Sequence, residues 1–161
     1  MPVDADDLKA CMGCRTSAVS IVTSNDGERI HGMTVSDFTS VSLDPPLVLV
    51  SASKTAHTLE VIEKGKCFAI NILASDQQEL SNLFASKEHE DARFEGLATE
   101  KGATGAPLIE GAIANIDCVL SATHDAGDHV LCIGRVEEVR LNDSAPLVYY
   151  KGRYRDLTTT D

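Results

Sequence analysis

Two stretches of this 161-residue chain gather more hydroxyl groups than a connecting segment needs. The first runs through Thr34, Ser36, Thr39, Ser40 and Ser42 around Phe38, between a β-branched run at 30–35 and an apolar run at 47–50. Hydroxyls and backbone N–H groups at this density can hydrogen-bond the edge of a flat polar ring. An ordinary β-connection, whose hydroxyls satisfy their own backbone, has the same composition, and spacing alone points first to that plainer reading. The second stretch runs from Ser51 to Thr58 with Ser53, Lys54 and Thr55, and feeds a short amphipathic helix carrying Leu59, Val61 and Ile62 and stopping at Gly65. Free N–H groups at a helix start, flanked by hydroxyls and a lysine, suit a phosphate without any glycine-rich fingerprint. The alternative is simple N-capping by Thr55 or Thr58.

The other chemistry-bearing residues are less concentrated. Cys11 and Cys14 form a C-x-x-C with no second pair and no matching histidines, while Cys67, Cys118 and Cys132 lie in apolar runs where cysteine acts as a small core residue. No metal site is expected. No G-x-G-x-x-G after a strand, G-x-x-x-x-G-K-[ST], H-E-x-x-H or G-x-S-x-G occurs, which removes support for the common nucleotide folds, zinc proteases and serine hydrolases. A net charge of −11 argues against general affinity for nucleic acid or anionic membranes. Against that sign, Lys151, Arg153 and Arg155 cluster near the C-terminus, as a site for an anionic ligand or as a solvated basic end.

The elements that must position these residues read as mainly β. Residues 6–14 suggest a short helix and 17–23 a first strand, with Asn25-Asp26-Gly27 turning it into a second strand at 30–35. Residues 47–53 and 66–73 read as strands. Ser75 to Gln78 reads as a capping box opening a helix that ends near Ala85. Residues 86–106 read as a long loop, with one helical turn around 93–97. Two long strands then pair across a turn at 125–128, and 147–150 is the last strand before the basic end. Mostly antiparallel strands with a few short inserted helices imply a closed or partly open β-barrel. The chain is read as one domain over 1–161, with its core at about 15–157. An acidic start without a signal-like segment, and no apolar run long enough to span a bilayer, lead to the expectation of a cytoplasmic protein.

In order and spacing, the segments H-G-M-T-V-S-D-F-T-S-V-S-L-D-P-P-L-V-L-V (31–50), F-A-I-N-I-L-A-S-D-Q (68–77), R-F-E-G-L (93–97), T-G-A-P-L-I-E-G-A (104–112), A-G-D-H (126–129) and Y-Y-K-G-R-Y (149–154) resemble the flavin reductase-like domain family, and within it the small reductase components of two-component flavin-dependent monooxygenases. The resemblance covers about 17–157. It implies an antiparallel FMN-binding split barrel working as a homodimer, and NADH- or NADPH-dependent reduction of FMN or FAD for a separate monooxygenase. It places the flavin ring against Thr34, Val35, Ser36, Asp37 and Phe38 with Ser40 and Val41, and the flavin phosphate at Ser51, Ala52, Ser53, Thr55, Ala56, His57 and Thr58 with Lys87. Phe84 and Phe94 border the ring, and the nicotinamide cofactor lies near His129 and Tyr150, Lys151, Gly152 and Arg153. Asp37 stands where many relatives carry a small residue, and its charge would oppose a reduced ring unless it faces solvent. No catalytic acid or base is implied, because hydride transfer needs only positioning. The alternative within the same fold is a flavin-binding protein that stores or senses flavin without using nicotinamide.

Overall fold

The computed structural model describes residues 3–88 and 90–157. In chain order the elements are α1 (Ala5–Met12), β1 (Ser17–Ala18), β2 (Ser20–Asn25), β3 (Ile30–Val35), β4 (Phe38–Leu43), β5 (Pro46–Ser53), α2 (His57–Gly65), β6 (Cys67–Ile72), α3 (Gln78–Ala85), a 3₁₀ turn (Glu90–Ala92), β7 (Thr99–Lys101), β8 (Pro107–Ile109), β9 (Ala114–Ala126), β10 (His129–Leu141), β11 (Val148–Tyr150) and β12 (Arg153–Arg155). Seven strands form the main sheet in the order β3-β2-β6-β9-β10-β5-β4, β1-β11-β12 form a second sheet, and β7-β8 pair separately. Every strand pairing is antiparallel. Among the described residues no helix is long and apolar enough to cross a membrane.

The β2–β3 hairpin forms where Asn25-Asp26-Gly27 predicts it. Gly27 adopts φ 89°, and the Asn25 and Asp26 side chains accept from Gly27, Glu28 and Arg29 N–H groups. The main apolar core packs Val22, Val50, Ile62, Phe68, Ile70, Cys118 and Cys132 between the sheet and α2. Burial pushes the Cys118 thiol up to about 12 and the Cys132 thiol up to about 11, so both are inert core residues. A polar seam crosses the interior where β8 meets the sheet. Asn71, fully buried, donates to Ile21 O and Thr23 Oγ1 and accepts from Ile109 N and Asn115 Nδ2.

Several expectations give way here. The first strand is two, because Val19 bonds out of the line to Leu147 O and to Leu73 N, so β1 and β2 enter different sheets. The hydroxyl-rich loop shrinks to Ser36 and Asp37, since 38–43 pair with β5 as the edge strand β4. No capping box opens α3: Gln77 is the N-cap without a side-chain cap, and it instead accepts from Ala74 N and donates to Glu110 O. The 86–106 segment contains a strand as well as its 3₁₀ turn, which lies ahead of 93–97. The basic end is itself ordered as β12, held by Tyr154, whose hydroxyl meets Ser81 Oγ and Asn82 Oδ1 at 2.8 Å each. Finally, the apolar strands at 47–50 and 147–150 bury Val48, Val50, Leu147 and Val148 inside this chain. Among the exposed apolar side chains are Val41 and Leu43 on β4 and Val139 and Leu141 on β10, and Tyr149 of the 147–150 strand is also exposed.

Candidate functional site

The two hydroxyl-bearing stretches meet along one side of the main sheet because β3 hands the chain to β4 through Ser36 and Asp37, and β5 then returns it to Ser53 and the start of α2. A cavity of about 390 Å³ is lined by Thr34, Val35 and Ser36 on one wall, Ser81, Asn82 and Ala85 of α3 on another, and Tyr149, Gly152 and Tyr154 of the small sheet. A second cavity, of about 410 Å³, shares Thr34 and Ala85 with it and continues to Ser53, Thr55, Ala56, His57, Thr58, Phe84 and Lys87. A third, of about 430 Å³, shares His57, Lys87 and Glu90 with the second and opens beside Arg29 and His31. The shared walls make these one groove, running from the Ser36 turn to the N-terminus of α2.

Each end of the groove is built by identifiable contacts. Thr34 Oγ1 donates to Ser81 O at 2.6 Å, which fixes α3 against β3. The Ser36–Asp37 turn is held from outside by Arg15, which donates to Ser36 O at 3.1 Å and pairs with the exposed Asp37 carboxylate. Asp37 therefore carries its countercharge on the solvent side, and Ser51 N donates to its carbonyl at 3.2 Å. At the other end α2 begins at Ala56 with no side-chain cap, so neither Thr55 nor Thr58 plays the capping role. Thr55 N and Oγ1 both lie within reach of Ser53 Oγ, and Thr58 Oγ1 is turned inward to His31 Nδ1 at 2.8 Å. Leu59 N donates to Ala56 O at 3.0 Å, which leaves the N–H groups of His57 and Thr58 to a ligand or water.

Arg93 completes this end, a residue singled out above only as part of the R-F-E-G-L segment. Only 3% exposed, it lies 5.9 Å from the Phe84 ring centroid and donates to Gly32 O and Ser86 O at 2.6 and 2.5 Å. Its Nε is a buried donor with no acceptor among the described residues, and Arg93 lines the second cavity. An uncapped helix start and an orphaned guanidinium N–H fit an anionic group there. Gly32 admits this packing, since a Cβ would stand 2.9 Å from the Phe84 ring and 3.0 Å from Val22 O. Phe94 stacks edge-to-face on Phe84 at 5.2 Å, behind the wall.

Close by, His31, His57 and Glu90 converge. Glu90 Oε2 lies 2.8 Å from His57 Nδ1, and its Oε1 lies 3.7 Å from His31 Nε2 and 3.5 Å from Arg93 Nη1. Burial lowers the His31 pKa, with the Glu90 charge opposing. Burial works to raise the Glu90 carboxyl, but the hydrogen bond from His57 and the charges of Arg93 and the two histidines outweigh it and hold it below the usual carboxylate range.

The remaining expected site residues are scattered. Phe38 packs against the core, and Ser40 and Val41 sit on the exposed edge strand, where the register shifts at Val41. Ala52 is 1% exposed, which leaves only its backbone for a ligand. Ser51 pairs with Leu131 and His129 with Ser53, so His129 stands beside the α2 end. It is paired with Asp128 at 2.7 Å, and that bond lowers the Asp128 pKa. Gly152 lies at the other end, in the small sheet. Tyr150 and Arg153 flank the Lys151-Gly152 turn, where Lys151 Nζ stands 5.5 Å from the Tyr150 ring centroid. His129 and this turn are not brought together within the chain.

The sequence profile described as "Flavin reductase like domain" matches residues 12–158. The chain is 44% identical over 153 residues to an NADH-dependent flavin reductase of a Rhodococcus species, covering 93% of this chain and 85% of that one. It is 33% identical over 153 residues to the reductase subunit HsaB of a flavin-dependent monooxygenase of Rhodococcus jostii, covering 94% and 77%. The solved structure of the Streptomyces globisporus NADH:FAD oxidoreductase SgcE6, in complex with NAD and FAD fragments, superposes with a TM-score of 0.89 at 31% identity, covering 98% of this chain and 97% of that one.

Proposed function

The chain belongs to the flavin reductase like domain family, and from that premise we propose that it reduces FMN or FAD with NADH and supplies the reduced flavin to a separate monooxygenase. The observation that carries the reading is the continuous groove, with a hydroxyl-lined turn at one end and an uncapped helix start, Lys87 and Arg93 at the other. A flavin nucleotide has the matching polarity, a flat polar ring joined to a phosphate. When bound, flavin and nicotinamide supply the hydride acceptor and donor. The protein's task is to hold the two rings in contact and to keep water out.

In this reading Thr34, Val35, Ser36, Asp37 and Phe38, with Ser40 and Val41, form the ring end, and Thr34 and Ser36 orient the ring edge. Ser51, Ala52, Ser53, Thr55, Ala56, His57 and Thr58 with Lys87 form the phosphate end, where Ser53, Thr55 and the first N–H groups of α2 hold the phosphate oxygens. His129 and Tyr150, Lys151, Gly152 and Arg153 serve the nicotinamide nucleotide. Arg15 keeps the Asp37 charge off the reduced ring. No side chain acts as acid or base, since the hydride moves without one.

The sheet is read as a split barrel: its two edge strands, β3 and β4, follow each other in the chain across only Ser36 and Asp37, yet they are not paired with one another. The assembly is read as a homodimer. Edge strand β4 carries Val41 and Leu43, and β10 continues past its last pairing with β5 to Val139 and Leu141. All four are exposed in one chain, with Leu43 at 92% and Leu141 at 81%. A second copy would cover them.

The test is nicotinamide oxidation by the purified chain with FMN, FAD or riboflavin added in turn. NADH should be consumed only when a flavin is present, with reduced flavin accumulating under anaerobic conditions. Tight flavin binding without NADH consumption would make the protein a flavin-binding module instead.

A further inference from the structure

We propose that His31, His57 and Glu90 form a binding site for one divalent transition-metal ion at the end of the groove, where His57 also borders the proposed phosphate end. The three residues come from β3, the first residue of α2 and the 3₁₀ turn, and their ligand atoms all lie within 4.8 Å of one another. Glu90 faces each imidazole with a different oxygen, at 2.8 Å from His57 Nδ1 to Oε2 and 3.7 Å from His31 Nε2 to Oε1, near the spacing of about 3.3 Å between ligands of a tetrahedral ion with bonds of about 2.0–2.1 Å.

The support around the ligands is that of a metal site. His31 is 5% exposed, and its other ring nitrogen is paired with Thr58 Oγ1 at 2.8 Å, which fixes the ring plane and presents Nε2 to the cluster. Arg93 Nη1 lies 3.5 Å from Glu90 Oε1, the oxygen that also faces His31, and steadies the carboxylate there. His31, His57 and Glu90 also line the outer cavity of about 430 Å³, which leaves room for a water or an anion oxygen as fourth ligand. Binding through His57 Nδ1 requires that nitrogen to be free of a proton, so an ion competes with the 2.8 Å contact between it and Glu90.

The donor set selects the kind of ion. Two imidazole nitrogens and one carboxylate, with Arg93 drawing on that carboxylate, suit Zn²⁺, Co²⁺ or Ni²⁺. Mg²⁺ and Ca²⁺ require mostly oxygen ligands and are poorly served. A bound ion would also pin the 3₁₀ turn to the start of α2, beside the groove.

Co²⁺ is the probe, because its visible absorption reports ligand geometry. Cys11 and Cys14 are exposed thiols that would bind it independently, so the parent is the full chain carrying Cys11→Ser and Cys14→Ser. Titration should give saturable visible absorption at one Co²⁺ per chain, displaced by Zn²⁺ and not by Mg²⁺. His57→Ala and Glu90→Gln should each weaken binding by more than about a hundredfold, beyond the roughly 10–100-fold that a lost outer contact costs. The His57 side chain is 57% exposed, so His57→Ala tests the site without disturbing the core, and an unchanged melting temperature confirms it. A parent with no saturable absorption, or variants that bind Co²⁺ as the parent does, would overturn the site.

Discussion

Arg15 and Asp37 form an ion pair across the outside of the turn that joins β3 to β4, and Arg15 also donates to Ser36 O at 3.1 Å. Both side chains are substantially exposed, so the pair adds little to stability. Its effect falls on the turn's position. Arg15→Ala should therefore leave the melting temperature within about 2–4 °C of the parent. The KM for FMN and that for riboflavin should rise by the same factor, because both flavins use the ring end. Steady-state kinetics with each flavin varied check this, and a rise confined to FMN would place the turn at the phosphate instead.

At the opposite end, replacing Ser53 and Thr55 with Ala removes two hydroxyls beside the uncapped start of α2. FMN and FAD should bind more weakly by roughly tenfold, the loss expected for a hydrogen bond to a charged group at about 1.5–3 kcal/mol. Riboflavin, without a phosphate, should be unaffected. Fluorescence titration with the three flavins gives the contrast, and equal losses would assign the loop a purely structural role.

His129 neighbours Ser53 across β10 and β5, whereas Arg153 lies on the small sheet beyond the ring end. Should both serve the nicotinamide nucleotide, His129→Ala and Arg153→Ala would each raise the KM for NADH and lower kcat/KM by roughly tenfold. Flavin affinity and the melting temperature should not move. Unchanged kcat/KM in both variants would remove these residues from the hydride donor's site.

Leu43, 92% exposed on edge strand β4, tests the assembly. A buried lysine at a two-fold contact meets its own copy and has no partner charge, so Leu43→Lys should shift the protein toward monomer. Light scattering at dilute concentration should read twice the chain mass for the parent and less for the variant. A parent of single-chain mass would contradict the dimer.

Asn71 satisfies four groups at once inside the protein, on Ile21, Thr23, Ile109 and Asn115. Asn71→Leu is close in size but strands the buried Ile109 N–H, at a cost of about 1–3 kcal/mol, and takes one of two acceptors from the Asn115 amide, which keeps its bond to Ile109 O. Chemical denaturation should show the loss as a lower midpoint with an unchanged slope. A midpoint within error of the parent would mean that water replaces the amide.

Local signals determined a good part of this protein. Continuous apolar runs marked β5 and β6, period-two alternation marked β9 and β10, and Asn25-Asp26-Gly27 marked a hairpin, because such patterns and turn residues act over a few neighbours. The hydroxyl stretches named both ends of the groove for the same reason. What the sequence could not place depends on partners far along the chain. Val19 looks like the middle of a strand, yet bonds to Leu147 and Leu73 split it. Residues 38–42 look like a loop because their hydroxyls are polar, but an edge strand tolerates polar faces once β5 supplies its ladder. Arg93 reads as a surface charge until Gly32, Ser86 and Phe84 close over it, and His31 and Glu90 lie 59 positions apart in the numbering. Only the tertiary structure brings those groups to one end of the groove, because burial and long-range hydrogen bonds, not nearest-neighbour pattern, decide where a charged side chain finds its partners.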